Sequence, residues 1–291
     1  MEQIKTLGLV LNFYKTEVVE LGQMIAEQLS ARDIQIIAPG EDADALGLPR
    51  LTNAQFAQAA DAVLVVGGDG TLLRAARTVY GYHKPLLGVN KGYLGFLTEV
   101  EMNELEDYLG AFLSGDFQVE RRMMLTAEVY RNGQKLRELT GLNDLVITKG
   151  ALARIISVEI EMDGAMVDQF LGDGVIFSTS TGSTGYSLSA GGPIVYPNFD
   201  VCILAPICPH SLSARSMIFP PESVLRVHLG LENFQAMLTV DGQYGMELEN
   251  KDEILIRKAD DYTYLVKMKD RNFFQVMRDK LKAGGSGKKY N

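Results

Sequence analysis

The sequence predicts an α/β domain built on a doubly wound parallel sheet, then an all-β domain, then a last helix that returns to the first domain. Three observations carry this prediction. Over roughly the first hundred residues, short apolar runs alternate with stretches of helical spacing. After about residue 115 the spacing changes to period two, the mark of half-buried strands. Near the end an apolar stripe of helical spacing returns.

In the first part, Leu7-Gly8-Leu9-Val10-Leu11 suits a strand covered on both faces, as strands of parallel sheets are. Val18, Leu21, Ile25 and Leu29 follow at helical spacing. A second strand, Ile34 to Ala38, stops at Pro39-Gly40. A third, Ala62 to Val66, runs into glycines and then a helix carrying Leu72, Leu73 and Ala76; Pro85 to Val89 is a fourth. In the second part, Ile156, Val158, Ile160 and Met162 alternate with Ser157, Glu159 and Glu161. Asn132-Gly133, Asp163-Gly164 and Asp241-Gly242 are hairpin dipeptides, because both central residues of the tightest hairpin turn need positive φ. Further strand runs lie at Val224 to Leu229, Ala236 to Val240, Ile254 to Ile256 and Tyr264 to Met268. The last helix has Asp270 as N-cap, a stripe of Phe273, Phe274, Met277 and Leu281, and Gly284 as its stop before a mobile tail. The stripe needs cover, and the α/β half is its natural host. The expected division is 1–115, 116–268 and 269–291.

The 291 residues are 46% hydrophobic and 22% charged, enough for one large core or two modest ones. A net charge of −9 argues against non-specific nucleic-acid binding. No apolar run reaches the length of a membrane span, and the start Met1-Glu2-Gln3-Ile4-Lys5 lacks the profile of a signal peptide, so a cytoplasmic location is expected. Cys202 and Cys208 fit no zinc or redox spacing and read as buried thiols. His83 reads as a surface loop residue, and His210 and His228 as structural; no cluster has metal-ligand spacing.

The most informative local signal is Val65-Val66-Gly67-Gly68-Asp69-Gly70-Thr71-Leu72-Leu73. A buried strand meets glycines and then a helix, so the backbone can approach a ligand and the helix N-terminus can face phosphate. No Gly-Lys-Ser/Thr follows, so this is not a Walker loop. Asp69 would repel phosphates in a pure cradle. It makes sense as a Mg²⁺ ligand or as a base on an acceptor hydroxyl; a turn Asp capping the next helix is the plainer alternative.

A second unusual stretch runs from Asp173 to Tyr186, with hydroxyls at Ser178, Thr179, Ser180, Thr181, Ser183, Thr184 and Tyr186. Hydroxyls and small residues can hydrogen-bond a polar ligand lying against the backbone, and Tyr186 can stack on a ring. Ser187 to Pro193 reads as one short helix with a glycine end. The apolar run Val175-Ile176-Phe177 sets this turn on top of a buried strand rather than on an open surface.

Taken together, these residues resemble the NAD kinase family over nearly the whole chain. The order is Gly67 to Thr71, then Gly88 to Leu97, Leu142-Asn143-Asp144, Ser178 to Pro193, His210 to Arg215 and Asp241-Gly242-Gln243. The glycine loop alone also occurs in diacylglycerol kinases, sphingosine kinases and phosphofructokinases. The block from Thr181 to Pro193, with that from Asn90 to Leu97, is specific. The resemblance implies phosphorylation of the 2′-hydroxyl of the adenosine ribose of NAD by a nucleoside triphosphate, with Mg²⁺ arriving on the triphosphate. It implies a homodimer or homotetramer, with the NAD site between domains and close to a neighbouring subunit. It makes Asp69 the base and lets Gly68 and Gly70 leave room for phosphates. Asn143 would contact the adenosine side, and Thr184, Gly185 and Tyr186 the adenine or its ribose, with Asp144, Thr181 and Ser189 in the nucleotide-binding set. Asp173 would face the nicotinamide end, and Gln243 completes the nucleotide-binding set.

Two positions depart from the family pattern. Asp144 stands where Glu is usual, one methylene shorter, and Gly185 where Ala is common. Two other readings compete. A diacylglycerol-type lipid kinase would need an apolar groove and a basic membrane-facing surface, which this acidic chain does not suggest. A non-catalytic NADP-sensing regulator would keep the hydroxyl-rich segment without needing Asp69. The sequence leaves open whether ATP, another triphosphate or polyphosphate is the donor, and whether NAD or NADH is the acceptor.

Overall fold

β1 (Thr6–Leu11) sets the layering of the first part of the chain in the computed structural model. Leu7, Leu9 and Leu11 are fully buried on one face, and Gly8 and Val10 lie on the other. Gly8 has to lack a side chain, because a Cβ there would sit 2.6 Å from the Phe56 ring. α1 (Thr16–Ser30) buries Val18, Gly22, Ile25 and Leu29. Leu21, expected in that stripe, is only partly buried, and Gly22 takes the inward place beneath Leu11. The structure describes residues 3–91, 95–150, 155–211, 213–230, 235–269 and 272–285. Gly92 to Leu94, Leu212, Asp270, the Leu281 side chain and the tail from residue 286 lie outside the described residues.

The chain continues through β2 (Gln35–Ile37), α2 (Gly40–Leu46), α3 (Asn53–Ala59), β3 (Ala62–Val66), α4 (Asp69–Thr78), β4 (Pro85–Asn90), β5 (Val100–Glu101) and α5 (Leu105–Leu113). The strands β4-β3-β1-β2 form a parallel sheet in that order, with Leu9 opposite Leu64 and Val63 opposite Leu86. The α/β alternation is therefore as predicted. The short helices α2 and α3 and the helix α5 have no counterpart in the sequence pattern. α3 opens with a reciprocal capping box between Thr52 and Gln55.

The remainder is almost entirely β: β6 (Gln118–Arg131), β7 (Gln134–Gly141), β8 (Asp144–Lys149), β9 (Ile156–Met162), β10 (Ala165–Gly172), β11 (Gly174–Ser178), the single turn α6 (Tyr186–Ser189), β12 (Cys202–Ile207), β13 (Met217–Phe219), β14 (Leu225–Gly230), β15 (Ala236–Val240), β16 (Tyr244–Leu248) and β17 (Glu253–Lys267). α7 (Phe273–Gly285) ends the described chain. Met1–Arg121 with Tyr264–Asn291 form one compact unit, and Arg122–Thr263 a second.

In the second unit β13-β12-β11-β8-β15-β16 make one antiparallel sheet. β10, β9 and β14 make another antiparallel run, which β17 extends beside β14. Leu145, Val175, Phe177 and Leu204 from the first sheet share a core with Ile156, Val158, Ile160 and Val227 from the second. The hairpin dipeptides behave as their chemistry dictates. Asn132 and Gly133 have φ of 52° and 76°, Asp163 and Gly164 53° and 77°, and Asp241 and Gly242 50° and 63°.

Four expectations need correction. Ile254 to Ile256 and Tyr264 to Met268 are not separate strands: β17 runs unbroken, because its polar middle is paired. Arg257 reaches Glu128 at 3.0 Å and Lys258 reaches Asp200 at 2.9 Å. Of the two cysteines only Cys202 is buried; Cys208 is exposed at a residue with φ of 45°. The stripe of α7 is only partly covered. Phe273 lies 6.3 Å from Phe96 between ring centroids, both within the first unit, but Phe274 is 49% exposed. Gly284 lies within α7 rather than stopping it. Among the described residues no helix is long and apolar enough to cross a membrane.

Candidate active site

In the first unit the fully buried strand β3 delivers the chain to Gly67, whose N–H donates to Val89 O at 2.8 Å. Gly68 is the N-cap of α4, and nothing lies within 4 Å of the place where its Cβ would be. Gly70 is exposed. The turn thus presents bare backbone at the end of a parallel strand, where ligands of open α/β sheets bind. Asp69 is the first residue of α4, but its carboxylate does not cap that helix. Its Oδ2 accepts the Phe96 N–H at 2.9 Å and its Oδ1 the Leu97 N–H at 3.1 Å. The simple capping alternative therefore fails: Asp69 reaches a distant loop and is held there.

α4 is itself tied down by a residue pair that sequence reasoning missed. Arg74 donates to both Asp42 oxygens, at 2.5 and 2.9 Å, and to Leu11 O at 2.6 Å. Asp42 Oδ1 also accepts the Leu11 N–H at 2.7 Å, and Asp42 is 1% exposed. This fork-to-fork pair fixes the helix of the glycine turn to the end of β1. The acidic run Glu41-Asp42-Ala43-Asp44 gives no hint of which carboxylate turns inward.

In the second unit the residues from Asn143 to Asp144 and from Ser178 to Tyr186 meet at one end of the sheet. The register explains this: Ser178 lies opposite Asp144 in the β11–β8 pair. Gly182 packs so tightly on this segment that a Cβ there would be 2.6 Å from the Asn143 carbonyl carbon. Most of the hydroxyls are used internally. Thr179 Oγ1 donates to Leu142 O at 2.7 Å, Ser180 Oγ to Phe199 O at 2.6 Å, and Ser183 Oγ to Ser180 O at 2.7 Å. Ser178 Oγ donates to Asn143 O at 3.1 Å. Thr181 is nearly buried, its Oγ1 accepting from Arg122 at 3.4 Å. The positions open to a ligand are fewer: Thr184, whose Oγ1 donates to Thr181 O at 3.5 Å, and Gly185 are half-buried, Ser189 is exposed and Tyr186 is 46% exposed. The Asn143 Oδ1 is a buried acceptor with no hydrogen-bond partner, the kind of group a ligand donor would satisfy.

Asp241, placed by the sequence only in a hairpin and in the last block of the family resemblance, organises this end. Its Oδ1 accepts the N–H groups of Asn143 at 2.7 Å and Asp144 at 3.2 Å, and its Oδ2 that of Leu142 at 3.3 Å. Asp144 is 6% exposed. Burial first, and then the charge of Asp241, push its carboxyl up to about 7. Its Oδ2 faces Gly185, where an added Cβ would stand 4.0 Å away, with Asn143 Nδ2 at 3.7 Å and Gly182 O at 3.2 Å. The two departures from the family pattern therefore adjoin each other.

Gln243 follows in the same turn as Asp241 and is exposed. Asp173 is not part of the group. It precedes β11, whose five residues, at about 3.4 Å each, separate it from the hydroxyl-rich end by roughly 17 Å. It forms an ion pair with Lys149 at 2.9 Å. His210 donates its backbone N–H to Leu171 O at 2.8 Å and is exposed. It lines a separate depression of about 380 Å³ with Ser157, Gln169, Phe170, Leu171 and Ser211, which none of the other candidate residues reaches. Among the described residues no three His, Cys, Asp or Glu side chains converge to hold a metal ion.

Comparison with known proteins adds the following. Residues 7–117 match the family model of the ATP-NAD kinase N-terminal domain, and residues 142–268 that of the ATP-NAD kinase C-terminal domain. An NAD kinase of Moorella thermoacetica is 43% identical over 284 residues, covering 97% of this chain and 91% of that protein. An NAD kinase of Geobacter sulfurreducens is 50% identical over 225 residues, 77% of this chain and 79% of its own length. The crystal structure of an NAD kinase from Archaeoglobus fulgidus in complex with ATP aligns with a TM-score of 0.73 at 26% identity, covering 96% of this chain and 99% of that one. That of yeast NADH kinase complexed with NADH aligns with a TM-score of 0.86 at 23% identity, over 100% and 90% of the two chains, a likeness of fold.

Proposed function

Since the chain belongs to the ATP-NAD kinase family, we propose that it transfers the terminal phosphoryl group of a nucleoside triphosphate to the 2′-hydroxyl of the adenosine ribose of NAD, giving NADP. The relatives sharing 40% or more of its residues over nearly its whole length carry that activity in their names. ATP is the donor we favour, supported by the ATP complex of the Archaeoglobus fulgidus neighbour. Mg²⁺ enters as part of the triphosphate substrate, held by phosphate oxygens rather than by a protein cage.

The observation that carries the mechanism is the fixed carboxylate of Asp69 beside a bare glycine turn. A ribose hydroxyl is a weak nucleophile at neutral pH. Asp69 takes its proton as the oxygen bonds to the terminal phosphorus and the bond to the leaving diphosphate breaks. Gly68 and Gly70 leave room for phosphates beside backbone N–H groups. In the second unit Asn143 offers its unsatisfied Oδ1 to a ligand donor, and Tyr186 a ring on which a base can stack. Thr184, Gly185 and Ser189 line that surface, with Asp144 and Thr181 beneath it and Gln243 at its rim. Asp173, at the far end of β11, is assigned to the nicotinamide end of the dinucleotide.

Purified protein with ATP, Mg²⁺ and NAD should form NADP, read by an NADP-specific coupled assay. Asp69→Asn should lower turnover by about 10²- to 10⁴-fold and leave NAD affinity within a few-fold. Absence of NADP formation with phosphorylation of a lipid instead would overturn the assignment. A folded, fully active Asp69→Asn enzyme would remove the base.

A further inference from the structure

We propose that the loop Gly95–Thr98 is a positioning element for Asp69, and that Gly95 is glycine because any side chain there would displace the carboxylate. This rests on the reading of Asp69 as the base. Several observations converge on it. Both Asp69 oxygens are engaged by consecutive backbone amides, Phe96 at 2.9 Å and Leu97 at 3.1 Å. A Cβ built on Gly95 falls directly on Asp69 Oδ1, Cγ and Oδ2, so the loop backbone lies flush against the carboxylate. The loop is itself fixed. The Gly95 N–H donates to Thr98 Oγ1 at 2.8 Å, Thr98 is 2% exposed, and the Glu99 N–H donates to Gly88 O at 2.8 Å. Glu99, also 2% exposed, then accepts the N–H groups of Met268 at 3.0 Å and Lys269 at 2.9 Å.

The consequence is geometric. An aspartate at the first turn of an exposed helix would sample several rotamers, only some of which aim a lone pair at an incoming hydroxyl. Two N–H groups, one on each oxygen, fix both side-chain torsions. A carboxylate has about four lone-pair sites, so each oxygen keeps one with which to take the proton. The loop thus sets the direction of the base without consuming it. Gly95 makes the close approach possible, and the Thr98 hydroxyl tightens the turn that brings the two amides forward. Because backbone atoms do the holding, Phe96 and Leu97 can vary in side chain without loss of the contact, whereas Gly95 cannot.

The test uses the full chain and NADP formation, with kcat and KM for NAD separated and the melting temperature measured on every variant. Gly95→Ala should lower kcat by about 10²-fold, the cost of a misplacement near 1 Å, while KM for NAD changes less than about threefold. Combined with Asp69→Asn, it should add little, since the group it misplaces is already disabled; non-additivity is the signature of residues acting as a unit. Thr98→Val should lower kcat by about tenfold and Thr98→Ser should restore it, a rescue that loss of packing alone would not give. This second pair decides the matter if Gly95→Ala does not fold. Multiplying losses in the Gly95→Ala/Asp69→Asn enzyme, or parental kcat in Gly95→Ala or in Thr98→Val, would overturn the positioning role while leaving Asp69 as the base. Parental turnover in Asp69→Asn alone would overturn both.

Discussion

Replacing Asp144 by Asn exchanges a buried carboxyl for an amide of the same shape, and its effect on stability should depend on pH in a way that identifies the cause. The Asp144 carboxyl is raised from its ordinary 3.8 to about 7, first by burial and then by the negative charge of Asp241. For an acid raised in this way, the native state holds the proton over a range where the unfolded chain has already released it. Stability is fully present below about pH 4 and is lost as pH climbs to about 7, beyond which the loss is constant. At about 1.4 kcal/mol per pH unit of separation, the gap amounts to roughly 4 kcal/mol at most. The substituted amide carries no charge at any pH and does not incur that loss. The Asp144→Asn protein should therefore match the parent near pH 4 and exceed it by up to roughly 4 kcal/mol at pH 8. Urea denaturation of both proteins at pH 4.5, 6 and 8 measures this difference directly, and the titrations of groups that do not interact with Asp144 cancel between them. An advantage that is equal at the two ends of the range, or absent at pH 8, would refute the argument.

Three further substitutions test the supports of the site. Asp42→Ala removes a 1%-exposed carboxylate from Arg74, itself 31% exposed, and should cost about 1.5–3 kcal/mol in urea denaturation; a cost under about 1 kcal/mol would show that the pair contributes no more than a surface ion pair. Gly182→Ala should destabilise by about 1–3 kcal/mol, because its Cβ would lie 2.6 Å from the Asn143 carbonyl carbon. Gly185→Ala, whose Cβ would press on Gly182 O at 3.2 Å, a milder contact, should cost less than Gly182→Ala. Melting temperatures that rank the two in the opposite order would refute the packing account.

What the sequence made legible is what depends on local pattern. The buried strand β3 leading into Gly67 and Gly68 could be read because an apolar run and glycines are both visible in one dimension. The hairpins could be read because Asn-Gly and Asp-Gly carry their own conformational preference. The partners of Asp69 could not. They are backbone amides of Phe96 and Leu97, and an amide N–H leaves no mark on residue identity. The continuity of β17 was hidden for a related reason: Arg257 to Asp261 looks like a polar break until Glu128 and Asp200 arrive from elsewhere in the fold. Phe274 misled in the opposite direction, since helical spacing marks a face as apolar without supplying something to cover it.

The hydroxyl-rich segment shows why motif density and ligand contact are different things. Ser178, Thr179, Ser180 and Ser183 sit at the top of a fully buried strand, where their hydroxyls donate to backbone carbonyls of Leu142, Asn143, Ser180 and Phe199; the Asn143 and Ser180 carbonyls also accept the N–H groups of Thr179 and Ser183. A hydroxyl is the smallest side chain that can donate to such a carbonyl, and the close approach of Gly182 to Asn143 leaves no room for a larger one. The segment is therefore rich in Ser and Thr because it folds a tight turn over Asn143 and Asp144, with Asp241 holding those same residues by their N–H groups. Donors from one side and an acceptor from the other fix the backbone that presents the unsatisfied Asn143 Oδ1. On the proposed reading the buried hydroxyls act one step behind the ligand, and the residues left to touch it are the few that the turn cannot use for itself.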